Sequence, residues 1–220
     1  MYLSWGTHTI QSFREHEINA LYDEGYLFTR LEKGIMNKTR SIRIKCPDFS
    51  WSSENRRILK KTESLMLKEH RIPYSGYDWR IAKMAKNFYD TKFGAKTFSA
   101  NKIKELLTNK KTTNFNLLLE FYINTKNTAE ALGYAICAET EELIHYAYPF
   151  YRLDSETCNM GMGMMLQAIE WARGKNKKYI YLGSAQRPGD IYKLQFKGLE
   201  WYDGQKWQSD ENALKTLLKN

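Results

Sequence analysis

Apolar positions set the first expectations. Ile18, Leu21 and Tyr22 share one face of a helix predicted over 13–24, and Gly25 is placed to stop it. Residues 26–46 alternate irregularly until Arg40-Ser41-Ile42-Arg43-Ile44-Lys45, where the two-residue period predicts a strand. Ser53 can cap a helix over 54–70 with Ile58, Leu59, Leu65 and Met66 on its apolar face. Pro73 and Gly76 mark a break. A second amphipathic helix over 78–92 carries Trp79, Ala82, Ala85, Phe88 and Tyr89, and Ser99 can cap a short helix ending at Leu107.

The pattern then changes. Residues 115–123, 131–138 and 142–151 are aromatic, β-branched and apolar runs separated by polar turns, which predicts an antiparallel meander. A helix over about 161–173 follows, then a strand, Tyr179-Ile180-Tyr181-Leu182, and a short helix over 189–197. Trp201-Tyr202-Asp203-Gly204-Gln205-Lys206-Trp207 reads as a hairpin around an Asp-Gly turn. Ser209 caps the last helix, with Asp210 and Glu211 in its first turn and Lys215 and Lys219 toward its end, as the helix dipole prefers. No internal repeat or low-complexity segment interrupts the chain. Pro73–Gly76 is the expected boundary, between an N-terminal region, 1–75, and a C-terminal domain, 76–220.

Composition narrows the class. Of 220 residues, 42% are hydrophobic and 14% aromatic, which excludes a wholly disordered chain. No apolar run approaches the ~20 residues of a membrane helix. The opening Met1-Tyr2-Leu3-Ser4-Trp5-Gly6 lacks the basic-then-apolar plan of a signal peptide. Cys46, Cys137 and Cys158 form neither a disulfide framework nor a metal pair, so a cytoplasmic protein with no metal is expected. Lys plus Arg is 34 against 25 for Asp plus Glu, a net charge of +9. The basic residues cluster at Lys38, Arg40, Arg43 and Lys45, at Arg56, Arg57, Lys60 and Lys61, and at Lys175, Lys177 and Lys178. Such charge favours contact with polyanions and equally describes a solvated surface.

The chemistry-bearing stretch is strand, loop, Gly161-Met162-Gly163, helix, strand. Backbone N–H groups at a helix start lack partners within the helix, and glycines let a phosphate approach them closely. The same glycines also suit a tight turn or close helix packing. Meander, loop, helix and one more strand is the order of the acyl-CoA-binding half of the GNAT acyltransferases. Their loop usually reads Arg/Gln-x-x-Gly-x-Gly/Ala, whereas here Cys158 stands in the Arg/Gln place of Cys158-Asn159-Met160-Gly161-Met162-Gly163.

The flanks carry a closer likeness. Tyr148-Pro149-Phe150-Tyr151-Arg152-Leu153-Asp154 resembles the Tyr-x-Tyr/Phe-Tyr-Asp-Pro-Asp segment of the arginyl- and leucyl-tRNA–protein transferases. Tyr181-Leu182-Gly183 and Pro188-Gly189-Asp190-Ile191-Tyr192-Lys193 match that family's Tyr-Leu-Gly and Pro-x-x-x-Tyr-Lys, and Phe196 follows. Upstream, Leu21-Tyr22-Asp23-Glu24-Gly25-Tyr26 is similar to the family's opening helix and Gly-aromatic. Arg43-Ile44 and Phe49-Ser50-Trp51-Ser52-Ser53-Glu54-Asn55-Arg56-Arg57-Ile58-Leu59 follow its next stretch. The family's clustered N-terminal cysteines are absent, and Arg152-Leu153 replace its usual Asp-Pro.

The resemblance implies an α+β chain with a GNAT-like acyltransferase fold: a mixed, mostly antiparallel sheet, flanking helices and a smaller N-terminal region. It implies transfer of an amino acid, of Arg or Leu type, from charged tRNA to the N-terminal amine of an acceptor protein or peptide, acidic N-termini being among the acceptors to expect. Aminoacyl-tRNA is then the co-substrate and no cofactor or iron–sulfur cluster is expected. The alternatives are an acetyl-CoA-dependent N-acetyltransferase and an inactive GNAT-like module that binds RNA or protein. Tyr148, Tyr151 and Tyr192 are the candidate polar contacts at the acyl end, or core aromatics with one wet end. Gly161 and Gly163 are placed to meet the tRNA 3′-terminal phosphate. Lys193, Arg56 and Arg57 could meet phosphate or an acceptor carboxylate, or simply be solvated. Tyr181 and Gly183 join the binding set through their motif. Cys158 has no neighbouring histidine, and His8, His16, His70 and His145 have no metal spacing.

Overall fold

Short-range patterning in the chain becomes a series of small elements in the computed structural model, which describes residues 3–124, 129–154 and 159–219. In order they are β1 (Gly6–Thr9), α1 (Glu15–Asp23), β2 (Tyr26–Phe28), β3 (Ile35–Lys38), β4 (Ser41–Lys45), α2 (Ser53–Lys61) and β5 (Met66–Arg71). Then come α3 (Trp79–Phe93), α4 (Ala100–Thr108), β6 (Leu117–Asn124), β7 (Ala129–Glu139), β8 (Leu143–Tyr151) and α5 (Met160–Gly174). The chain ends with β9 (Tyr179–Ser184), a 3-10 helix (Pro188–Gln195), β10 (Leu199–Tyr202), β11 (Trp207–Gln208) and α6 (Glu211–Leu217). This is an α+β fold with a mixed, mostly antiparallel sheet, and it keeps the expected order of meander, helix and further strand.

The chain divides into two compact units: Met1–Ser53 with Glu139–Tyr146 and Ile169–Asn220, and Glu54–Ala138 with Ala147–Ala168. The division cuts through β8 and α5, and the expected boundary at 75/76 falls within the second unit.

In the first unit the strand order is β11-β10-β4-β9-β8, beside a separate sheet of order β1-β3-β2. β8 and β9 run parallel, with Leu143 opposite Tyr179. β4 runs antiparallel to both β9 and β10, so an N-terminal strand completes the C-terminal part of the sheet. A guanidinium sits where these strands meet. Arg43 is 6% exposed and donates to Asp23 at 2.7 Å, Glu200 at 2.8 Å and the Tyr181 hydroxyl at 3.1 Å. Its Cζ lies 3.9 Å from the ring centroids of both Tyr179 and Trp207. A buried charge is tolerated only with that degree of pairing.

In the second unit the order is β5-β6-β7-β8, with α3 and α4 following β5 in the chain. Asp78 caps α3 by accepting from the Arg80 N–H, and Ser99 caps α4 by accepting from the Lys102 N–H, as its sequence position suggested.

Several elements differ from expectation. The helix expected over 54–70 stops at Lys61, and Met66–Arg71 is a strand. The chain turns at Thr62, whose carbonyl accepts from the Leu65 N–H at 3.0 Å. Six residues then pair antiparallel with Leu117–Tyr122. Ladder pairing overrides the helical period, which is a weak preference. Leu65 stays buried, while Met66 is 42% exposed. The irregular alternation after Gly25 hides β2 and β3, which are too short to show a period. The cap of α6 is Asp210, not Ser209, because its carboxylate accepts from both the Asn212 and Ala213 N–H groups. The expected short helix over 189–197 is the 3-10 helix.

Two buried contacts generate predictions. Gly25 has φ +83°, and a Cβ there would lie 2.3 Å from Tyr202 Cδ1. Replacement by alanine adds left-handed strain to overpacking, so Gly25→Ala is expected to lower unfolding free energy by about 2–4 kcal/mol. The check is the urea midpoint at unchanged slope. His145, on β8, is 3% exposed and shares a 2.9 Å hydrogen bond between Nδ1 and the Tyr22 hydroxyl. Burial, helped by the nearby Lys193 ammonium, pushes its imidazole down from 6.5 to about 3. Below pH 6.5 the unfolded chain binds a proton that the folded chain refuses until about pH 3. This residue therefore makes the folding equilibrium fall up to about tenfold per pH unit through that window. His145→Gln is expected to flatten the slope between pH 6.5 and 5, read from urea midpoints.

Candidate functional site

The sequence-predicted residues fall into both units. In the second unit, β8 delivers Tyr148 and Tyr151, and α5 opens with Gly161 and Gly163. Tyr148 is half-buried, edge-on to Phe98 at 5.4 Å and Phe115 at 5.3 Å between centroids, the packing of a core aromatic. Tyr151 lies against Phe88 at 4.7 Å and over Gly161. A Cβ on Gly161 would meet the Tyr151 ring at 3.1 Å and its hydroxyl at 3.2 Å. The absent side chain thus lets a phenol reach the first turn of α5. Burial pushes the Tyr151 phenol up, so it stays protonated and can donate a hydrogen bond.

Gly163 has a different role. A Cβ there would lie 2.7 Å from Thr62 Cγ2, and its N–H already donates to the Asn159 carbonyl at 2.9 Å. This glycine serves close packing of α5 against the end of α2. Arg56 and Arg57 are exposed on α2. Arg57 Nε donates to Glu54 Oε2 at 2.7 Å within the same helix, a pair largely screened by water. Beyond Tyr151, Arg152 donates to Asp154 at 3.0 Å and pairs with Glu130. Cys158 lies outside the described residues.

In the first unit, β9 and the 3-10 helix bring Tyr181, Gly183 and Lys193 together. Tyr181 is fully buried. Its ring meets Tyr22 edge-on at 4.8 Å, and its hydroxyl accepts from Arg43. Burial pushes its phenol far up despite Arg43. Gly183 has φ +77°, and the space beside its Cα leads to Lys193 Nζ, 4.0 Å from where a Cβ would stand. Lys193 is not a surface cation. It is 7% exposed, donates to the Ser184 carbonyl at 2.8 Å and lies 3.7 Å from Asp190. Burial pushes its ammonium down, with Asp190 opposing the change. Tyr192, next in the chain, is 44% exposed.

Sequence reasoning missed partners that lie far apart in the chain. Gln186 receives the Leu3 N–H at 2.8 Å and donates to Thr39 Oγ1 at 3.0 Å, so it stitches the N-terminal segment to the loop before the 3-10 helix. Asp190 holds that loop by accepting from the Gln186 and Arg187 N–H groups at 2.9 and 3.0 Å. In the second unit His70 pairs with Glu120 at 2.5 Å, and the Tyr134 hydroxyl donates to the same carboxylate at 3.3 Å. Fifty residues separate that pair, and only the β5–β6 register joins it. Among the described residues no group of three or more His, Cys, Asp or Glu is placed to hold a metal ion, and no helix is long and apolar enough to cross a membrane. Cys46 and Cys137 are buried, and burial pushes the Cys46 thiol up to about 11.

Known proteins share the fold or part of the sequence of this chain. Among solved structures, that of L-PGS from Bacillus licheniformis superimposes with a TM-score of 0.51 at 12% identity, covering 97% of this chain and 72% of that one. This is a likeness of fold. The aspartate/glutamate leucyltransferase of Stenotrophomonas maltophilia (strain K279a) is 35% identical over 88 residues, 39% of this chain and 35% of that protein. Its namesake in Xanthomonas campestris pv. campestris (strain B100) is 33% identical over 79 residues, 35% of this chain and 31% of that protein. The matched stretch spans about a third of each relative's length. Residues 74–203 match the family model described as arginine-tRNA-protein transferase, C terminus. That match takes in β8, α5, β9 and the 3-10 helix, with every tyrosine and glycine motif placed above. The chain belongs to the arginine-tRNA-protein transferase family through this C-terminal region.

Proposed function

We propose that this protein transfers an amino acid from charged tRNA to the N-terminal amine of a peptide or protein. Leucine is the donor and Asp or Glu the accepting N-terminal residue in this reading. The family match over 74–203 carries it, and the leucyltransferase relatives favour the donor and acceptor.

The chemistry asks little covalent work of the chain. The aminoacyl ester is already activated, so the amine attacks the ester carbonyl directly, a tetrahedral oxyanion forms, and the tRNA 3′ oxygen leaves. The protein must hold amine and carbonyl within attack distance, stabilise the oxyanion and let the ammonium lose its proton. No further cofactor is required for these steps. The protonated Tyr151 phenol beside Gly161 is the donor assigned to the developing oxyanion. Tyr192, exposed on the 3-10 helix, is assigned to substrate contact. Lys193 positions Tyr192 and the Gly183–Ser184 turn through its hydrogen bond to Ser184. Arg56 and Arg57 suit sequence-independent phosphate contact. The Gly163 N–H already donates to the Asn159 carbonyl, so it does not offer itself to a CoA pyrophosphate.

The test supplies labelled amino acids on a mixture of charged tRNAs to peptides beginning with Asp, Glu or Ala, beside labelled acetyl-CoA without tRNA. Leucine on the Asp and Glu peptides, dependent on tRNA, is the expected result. Arginine there overturns the donor assignment, and label from acetyl-CoA alone overturns the reading. Tyr151→Phe is expected to lower kcat about 10²-fold with KM little changed, as for loss of one oxyanion donor.

A further inference from the structure

The face of the small N-terminal sheet carries rings and cations that the reaction does not use. On β3, Lys38 sits opposite Gly6 of β1 and Tyr26 of β2. Its ammonium lies 5.4 Å from the Tyr26 centroid and 5.3 Å from that of Tyr202. His8 meets Tyr26 edge-on at 6.0 Å, and Trp5 meets Tyr202 at 6.4 Å. The row therefore runs His8, Tyr26, Lys38, Tyr202, Trp5. Trp5 is 40% exposed, His8 is exposed, and Tyr26 and Lys38 are half-buried, while Tyr202 is only 4% exposed and backs the row from below. The exposed Lys206 flanks the row from the β10–β11 turn.

The row is built rather than incidental. Gly25, without a Cβ, lets Tyr202 lie on the backbone, and Gly204 packs under Trp5, its Cβ position 3.6 Å from the indole. The Trp5 N–H donates to the Lys38 carbonyl at 2.8 Å. The row is also continuous with the motif segment. Leu3 and Thr39, two residues before Trp5 and one after Lys38, hold Gln186, whose own N–H donates to Asp190 in the 3-10 helix that carries Tyr192.

Rings interleaved with an ammonium are what a single-stranded nucleic acid requires. Bases stack on ring faces without regard to sequence, and the cation between them meets the connecting phosphate. The chain's net charge of +9 complements the same partner. We propose that His8, Tyr26, Lys38 and Trp5, held in place by the buried Tyr202, bind the unpaired 3′ end of the donor tRNA and lead it to the 3-10 helix. This rests on the reading of the protein as a tRNA-dependent transferase.

The test measures binding by fluorescence anisotropy, without any transfer step. The full chain meets end-labelled tRNA, either intact or trimmed of its unpaired 3′ nucleotides. Trp5→Ala is expected to weaken intact tRNA about tenfold, the size of one lost stacking contact, while Trp5→Phe stays within about twofold. Lys38→Met is expected to weaken binding and lower the salt slope by about one. Trimmed tRNA is expected to bind the wild type at least as weakly as intact tRNA binds Trp5→Ala, and to be indifferent to that substitution. Intact tRNA bound equally by wild type and Trp5→Ala overturns the row alone, and so does equal weakening of intact and trimmed tRNA. Wild-type protein that binds no tRNA overturns the transferase reading and the row with it.

Discussion

A guanidinium taken out of water must be met on every side, and Arg43 gathers the first unit around that requirement. Its partners come from four elements: Asp23 at the end of α1, Tyr179 and Tyr181 on β9, Glu200 on β10 and Trp207 on β11. Removing any acidic partner would leave a buried charge short of compensation, which costs far more than an exposed ion pair is worth. The N-terminal strand β4 is thereby fixed between β9 and β10. The expected division into a small N-terminal region and a separate C-terminal domain does not describe how this sheet is assembled.

From that constraint the geometry of the motif segments follows. With β4 in place, β9 presents Tyr181, Gly183 and Ser184 in a fixed register, and Lys193 reaches back to the Ser184 carbonyl. The 3-10 helix is consequently tied at its start by Asp190 and near its end by Lys193, leaving Tyr192 outward. In the second unit the equivalent economy is steric. Gly161 yields its side-chain space to Tyr151, and Gly163 yields its own to Thr62. The two glycines of one motif do separate jobs, one admitting the Tyr151 ring and one admitting Thr62.

What the sequence made legible depended on range. The α5 helix, the runs that became β7 and β8, and the Asp203-Gly204 hairpin all rest on local periodicity or turn chemistry, and all formed close to their expected bounds. Met66–Arg71 departs from its helical pattern because its strand state is imposed by β6, fifty residues on. The motifs Tyr181–Gly183 and Pro188–Lys193 fall on β9 and the 3-10 helix, within the family match. Their roles were less visible, because whether Lys193 faces water or a carbonyl is decided by tertiary packing. The same holds for Arg43, which reads in sequence as one more basic residue, and for His70 with Glu120. Such partners become neighbours only through strand register, which no local pattern records.

The claim that β4 is integral to the sheet that carries β9 and β10 has a direct test in native-state hydrogen exchange. Amides of β4 and β9 are predicted to open together, at one shared free energy close to that of global unfolding. Exchange of β4 amides by a separate, lower-energy opening while β9 stays protected would contradict it.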